Sequence, residues 1–423
     1  MTPAGLRAER WAWRAVAVIA VALAALLAIE QWQSGPAQPV QRERSPVALT
    51  GIASSYSETL ARTDLVIANA ETQAKAGSDQ WLLHENVARN YFERARLSGN
   101  YNDYAAADTA LKRAFAVAAP GTGPHLVRAQ LDFGMHRLAE AERYLKIIDG
   151  YAIPSLPDER AEITGMRGDI AFYRGDLKTA LNLYEEADRT SPGTATFRRA
   201  VYAMKTGDFE RAEIYFDQSE REARLPPPQL RAFIELQRGI LDLERSRLEQ
   251  AMAHFHRADG IFPGNWLIEE HIAEVLTLQG KLPEAERRYR DIVRRTGHPE
   301  FMDALASLLS SQGRTEEARR LTDQAWVAWQ KRITLFPEAS YGHAIDHCIG
   351  KRDWPCAVRL ATRNHAARPY GDAKIALAKA LLGSGKIKEA ETLIEAVRRT
   401  PWRTADLLSV TKEIELKRRA ASN

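Results

Sequence analysis

His343 and His347 stand four residues apart, with Asp346 between them and Cys348 alongside. On a helix this spacing puts both imidazoles on one face, where a divalent metal could be held. No third ligand follows at a spacing that completes the site. Ordinary exposed or hydrogen-bonded histidines are therefore the preferred reading, and no metal or cofactor is expected. Gly383-Ser384-Gly385-Lys386 is similar to the end of a phosphate-binding loop. However, Ala380 stands where the first glycine belongs and Ile387 replaces the hydroxyl residue, so a turn between two helices explains it better. HExxH and GxSxG are both absent. No catalytic residue is assigned and an enzyme is not expected. Cys348 and Cys356 flank the turn Gly350 to Trp354, where an antiparallel helix pair would bring them within bridging distance. The loop such a disulfide closes is short, worth ~2.5 kcal/mol. Two free thiols in small core positions are the equal alternative, and the compartment decides between them.

The elements that carry these residues repeat. Ala161 to Thr194 places Gly168, Ala180, Tyr184, Ala187 and Pro192 at intervals that return along the chain. Gly239, Ala251, Phe255, Ala258 and Pro263 keep them all. Ala273, Ala285, Tyr289 and Ile292 follow, then Ala306, Ala318, Thr322 and Ala325, and Ala378, Ala390, Ile394 and Val397 near the end; weaker copies include Ala200, Ala212, Phe216 and Ser219. Turn signals Gly207-Asp208, Gly280-Lys281, Gly313-Arg314 and Gly385-Lys386 recur before each second alanine. Small side chains at these intervals let two antiparallel helices touch closely, and neither helix can bury its apolar face unless another pair stacks on it.

This pattern resembles the tetratricopeptide repeat family over roughly residues 88 to 404. The resemblance implies an all-α chain, a right-handed α-solenoid of about nine helix pairs, and a binding function rather than a reaction. Three proline-bearing insertions, near 155–160, 226–231 and 333–337, should change the coil locally or lengthen a second helix. Residues 51–87 read as N-terminal helices forming a degenerate half-repeat, with Ala61, Leu65 and Ala68 inward and Trp81, Leu82, Val87 and Tyr91 as candidate core. Residues 405–423 read as a capping helix and tail with Leu407, Leu408, Ile414 and Leu416 inside.

Ala12 to Ile29 is apolar apart from Arg14, close to the ~20 residues a bilayer-spanning helix needs. Trp11, Trp13 and Trp32 flank it. Residues 11–32 are read as a signal-anchor helix, 1–10 as a cytoplasmic tail and 33–50, with Pro36, Pro39 and Pro46, as a linker. A cleaved signal peptide is the competing reading, although Ile29-Glu30-Gln31-Trp32 makes a poor cleavage site. Arg7, Arg10 and Arg14 precede the span and Arg42 and Arg44 follow it. This bias places the repeats outside the cytoplasm, in the periplasm of a bacterium with the anchor in its inner membrane; the opposite orientation stays open. The 423-residue chain has net charge +4 spread along its helices, with no basic block to suggest nucleic acid.

In the family the first helix of each pair lines a concave groove that takes a protein or peptide. Carried over in phase, that groove is Phe92, Leu126, Phe133, Asp169, Phe172, Phe197 and Leu236, then Glu270, Glu274, Asp303 and Asp346. It runs from apolar to acidic, fitting an apolar segment early and an amine-bearing one late, unless these acids are simply solvated helix positions. The expected function is a membrane-anchored interaction scaffold; the alternative is a chaperone presenting an extended client to membrane machinery. The oligomeric state is not legible in the sequence.

Overall fold

The computed structural model of the chain describes Ala53, residues 55–222 and residues 226–422. The expected anchor at 11–32, the tail before it and the linker at 33–50 lie outside the described residues. Among those described, no helix is long and apolar enough to cross a membrane.

Twenty helices are described, and no strands. The chain opens with α1 (Tyr56–Ala76), α2 (Trp81–Ser98), α3 (Tyr101–Val117), α4 (His125–Gly134) and α5 (Leu138–Asp149). Next come α6 (Pro157–Tyr173), α7 (Leu177–Thr190), α8 (Thr196–Lys205), α9 (Phe209–Glu222) and α10 (Pro228–Glu244). Then follow α11 (Leu248–Ile261), α12 (Trp266–Leu278), α13 (Leu282–Thr296), α14 (Pro299–Ser311) and α15 (Thr315–Leu335). The chain closes with α16 (Pro337–Gly350), α17 (Trp354–Ala367), α18 (Gly371–Gly383), α19 (Ile387–Arg398) and α20 (Ala405–Ser422). From α2 to α19 they pack as nine consecutive antiparallel pairs, with α1 and α20 at the two ends.

Local chemistry sets the boundaries. The side chains of Ser55, Asp176, Asn265 and Asp353 accept from backbone N–H groups in the first turns of α1, α7, α12 and α17. Proline occupies the first helical position of α6, α10, α14 and α16, where its missing N–H costs nothing. Inside each pair the small residues set the approach. A Cβ on Gly168 would lie 2.5 Å from the Tyr184 ring, and one on Gly239 would enter the ring of Phe255. Ala180, Ala212, Ala251, Ala285, Ala318 and Ala390 are all buried, whereas Pro192 and Pro263 sit at exposed turns.

The three proline-bearing insertions become extra helix. The first two lengthen a first helix, α6 and α10, to 17 residues each; the third lengthens a second helix, α15, to 21. Two readings of the ends change. In α1 the inward face is Ile67, Ala70 and Ala74, while Ala61, Leu65 and Ala68 face out; in α2 Leu82 is exposed. In α20 the buried face is Leu407, Val410 and Ile414, an i, i+3, i+7 stripe that leaves Leu408 and Leu416 in solvent.

Stacked helix pairs coil, and here the coil closes on itself. Pro263 O accepts from Tyr56 N at 3.1 Å, and Leu97 O accepts from Trp266 Nε1 at 3.0 Å. Lys205 O accepts from Arg403 N, and Lys205 Nζ reaches Asp372 at 2.9 Å. Tyr173 packs edge-on against Tyr370. One continuous apolar core joins α4–α7 to α15–α20, and another joins α1–α4 to Phe336 and Ala339.

Candidate functional site

The residues expected to line an open groove are spent on holding the coil together. Phe92, Phe133, Phe172, Phe197 and Leu236 are buried and Leu126 is half-buried. Their rings meet aromatic partners: Phe133 meets Tyr173, Phe172 meets Trp402 across the coil, and Phe197 stacks on Phe233 with ring centroids 5.5 Å apart. An open groove would leave these side chains exposed. Contacts within and between neighbouring helix pairs cover most of them, and Trp402 covers Phe172 from across the coil.

The acids are engaged too. Asp169 is 0 % exposed; its Oδ2 accepts from Arg198 Nε at 2.8 Å and its Oδ1 from Tyr184 OH at 2.9 Å. Glu162 takes the rest of the same guanidinium, accepting from Nη2 at 2.7 Å and Nη1 at 3.2 Å. Burial pushes the Asp169 carboxyl up and raises that of Glu162 to about 7, against the pull of Arg198. Glu270, also 0 % exposed, lies 2.7 Å from His271 Nδ1 as an ion pair, while that nitrogen's hydrogen bond goes to Leu267 O at 2.9 Å. Burial disfavours the His271 imidazolium, but Glu270, with Glu274 nearby, pushes its pKa up to about 9. Glu274 itself is buried.

Asp303 accepts from Trp329 Nε1 at 2.9 Å and lies 2.7 Å from His347 Nδ1. Half-buried Asp346 has its carboxyl pushed up to about 7 by desolvation, with Asp406 and Asp303 adding to the rise and Lys379 opposing it.

The histidine pair is thus divided between separate partners. His347 belongs to Asp303, and His343 stacks on Trp329. Among the described residues no group of three or more metal-ligating side chains forms. Gly385 sits at φ +82° in the turn between α18 and α19, not in a strand-to-helix loop. Cys348 and Cys356 are joined across the α16–α17 turn, with Cα atoms 5.8 Å apart.

Sequence reasoning missed an apolar edge formed by α3, α4, α5 and the 150–156 connection. Phe115 stacks on Tyr144, His125 meets Phe115 edge-on, and His125 Nδ1 lies 2.6 Å from Tyr151 OH. On the same helices and connection Val117, Ile147, Ile153 and Leu156 are exposed, Ile153 at 84 %. Lys112, Arg113, Arg143 and Lys146 are exposed on the same helices, and the Arg143 guanidinium lies 4.1 Å from the Tyr144 ring centre. The available signal was Ile153-Pro154-Ser155-Leu156, apolar residues in a connection where polar ones are the rule.

No family model matches the chain, and no curated protein matches it. Among solved structures, it is similar to yeast Tom70 at 15 % identity, covering 86 % of this chain and 88 % of that one, with a TM-score of 0.42. Pseudomonas aeruginosa pilF is similar at 18 % identity over 50 % of this chain and 94 % of that one, with a TM-score of 0.34. A tetratricopeptide repeat protein from Parabacteroides merdae is similar at 18 % identity over 56 % and 86 %, with a TM-score of 0.31. At these scores the fold rests on this chain's own repeats.

Proposed function

We propose that this right-handed stack of helix pairs is a non-enzymatic interaction scaffold. Residues 11–32 tether it to a bacterial inner membrane, and it holds a partner polypeptide in the periplasm. The partner docks on the outer apolar edge rather than in a central groove. The observation that carries this reading is the exposed set Val117, Ile147, Ile153 and Leu156 on the elements that hold the aromatic plate, with exposed side chains of both charges on the same helices. Apolar surface surrounded by charge is the usual anatomy of a protein-binding patch. It suits a segment that presents apolar side chains. The joined Cys348–Cys356 pair supports a compartment that permits disulfides.

Two experiments test the reading. The partner that co-purifies with the wild-type chain is lost from Ile153→Glu/Leu156→Glu, whose melting curve is unchanged; retention of that partner by the double variant would reject the edge. Full-length chain resists alkaline extraction from membranes, and a periplasm-active reporter fused after Asn423 is functional; an active cytoplasmic reporter at that position would reverse the orientation.

A further inference from the structure

The second helix of a pair buries a small–large–small triplet against the first. Ala107, Leu111 and Ala114 of α3 do so, as do Ala180, Tyr184 and Ala187 of α7 and Ala251, Phe255 and Ala258 of α11, none of them more than 1 % exposed. α1 carries the same triplet at the same spacing, Ala61, Leu65 and Ala68. It leaves all three in solvent, Leu65 at 53 % exposed. The helix is held by its opposite side, where Ile67, Ala70 and Ala74 pack on α2. Among the described residues nothing covers the open side.

That side carries no charge. Ala61, Leu65, Ala68, Thr72 and Ala76 follow one another at steps of three or four residues and are all exposed, with exposed Val66 beside them. Acids of α1 are drawn off it toward α2: Asp64 accepts from Arg94 at 2.7 Å, and Glu71 from Tyr91 OH at 2.6 Å. The other end of the stack is finished differently. The solvent side of α20 carries Lys412, Glu413, Glu415, Arg418 and Arg419, the polar outer face that a solenoid end needs in water. α1 is built as a surface for stacking, not as a cap.

A second-helix face calls for another helix. The sequence just before α1 does not carry a first helix's pattern. Leu49 stands where the small residue of that helix belongs, Pro46 and Gly51 flank it, and Ser55 enters α1 in extended backbone. The open face fits its own copy, because an uncharged stripe that alternates large and small side chains is self-complementary.

We propose that α1 is a dimerisation helix, whose open face packs antiparallel on α1 of a second copy of this chain about a two-fold axis close to Ala68. In that register Leu65 lies against the partner's Thr72 and Ala61 against the partner's Ala76, so each large side chain meets smaller ones. Lys75, exposed on the flank of the stripe, comes beside the partner's Asp64, which adds an opposite-charge pair at each end. One helix face of ~30 Å buries less than the ~1,200 Å² of a standard interface, so the pairing is weak in free solution. Tethering strengthens it: with the two-fold axis along the membrane normal, both N-termini sit at one height and both anchors reach the same bilayer. Only this last step rests on the anchor. The face shares no residue with the outer edge, so failure of either leaves the other standing.

The test is sedimentation equilibrium of the full chain in density-matched detergent micelles, up to about 0.1 mM. The wild-type chain reaches twice the chain mass. Leu65→Glu, on exposed surface and with an unchanged melting curve, dissociates at least tenfold more readily. Ala68→Cys, beside the axis, cross-links to its own copy on mild oxidation, and the joined Cys348–Cys356 pair does not compete. Ser384→Cys, exposed in the turn between α18 and α19, does not cross-link. A chain that stays monomeric, a dimer that survives Leu65→Glu, or Ala68→Cys linked no better than Ser384→Cys would each overturn the proposal.

Discussion

Replacing Arg198 with methionine separates a closed coil from an open groove most sharply at the level of energetics. The guanidinium is almost fully buried between α6 and α8, and it satisfies Asp169, Glu162 and the carbonyl of Thr194, the last at 2.8 Å. Methionine keeps the apolar stem but leaves two buried carboxyls, of which Asp169 retains only the hydroxyl of Tyr184. Removing one partner of a buried charged network costs ~3–5 kcal/mol, because the remaining charge must be desolvated without compensation.

The sign of the pH effect follows from the direction of the shifts. Both carboxyls titrate above their ordinary range in the fold, and losing Arg198 raises them further. Their stabilising contribution is complete below the unfolded carboxyl pKa and is lost as pH rises toward the folded one. The penalty should therefore grow with pH, by up to about 1.4 kcal/mol per unit for each carboxyl that stays protonated in the fold. Urea unfolding followed by circular dichroism at pH 5.5 and 7.5 reads this, and hydrogen exchange places the loss in α6–α8. A penalty below about 1 kcal/mol, or one that shrinks as pH rises, would refute the reasoning. In that case Arg198 and Asp169 would be facing water, as a groove requires.

Other consequences follow from the same packing. Gly239→Ala should destabilise by ~1–3 kcal/mol because its methyl enters the buried ring of Phe255. Gly260→Ala on exposed α11 surface meets nothing and should stabilise by ~0.5–1 kcal/mol; equal melting shifts for the two would contradict the crossing argument. His271 should titrate by NMR near pH 9, and lower in Glu270→Gln, where only Glu274 and the Leu267 carbonyl still oppose burial. Its raised pKa adds stability that is complete below about pH 6.5 and disappears as pH rises through about 9, so a midpoint near 6.5 in the native protein would count against the buried pair. The mass of the unreduced chain should be two hydrogens below that of the reduced chain, and Cys348→Ser should cost ~2.5 kcal/mol; two alkylatable thiols would mean no bridge.

The helix pairs were legible because close crossings admit only small side chains, and that requirement is local. Gly168 opposite Tyr184 and Gly239 opposite Phe255 lie 16 residues apart and leave a mark at a fixed interval. The closure of the coil leaves none. Trp266 meets Leu97, and Lys205 meets Asp372, across 169 and 167 residues respectively. Nothing in either stretch announces the other. Asp169 and Glu270 therefore read as groove or solvated helix acids, when their partners Arg198 and His271 already sat in the sequence.

The faces of the end helices were misread for a different reason. In α1 two stripes of similar spacing compete, and tertiary packing chooses the one with Ile67. In α20 the stripe through Val410 wins over the one through Leu408.

Carboxyl footprinting with a carbodiimide and glycine ethyl ester, read by mass spectrometry on the native full-length chain, addresses the closed coil directly. Asp169, Glu162, Glu270 and Glu274 should remain unlabelled while exposed acids such as Glu316 and Glu389 react quickly. Labelling of Asp169 and Glu270 at the rate of those surface acids would mean that the inner face is open to solvent and that the coil does not close.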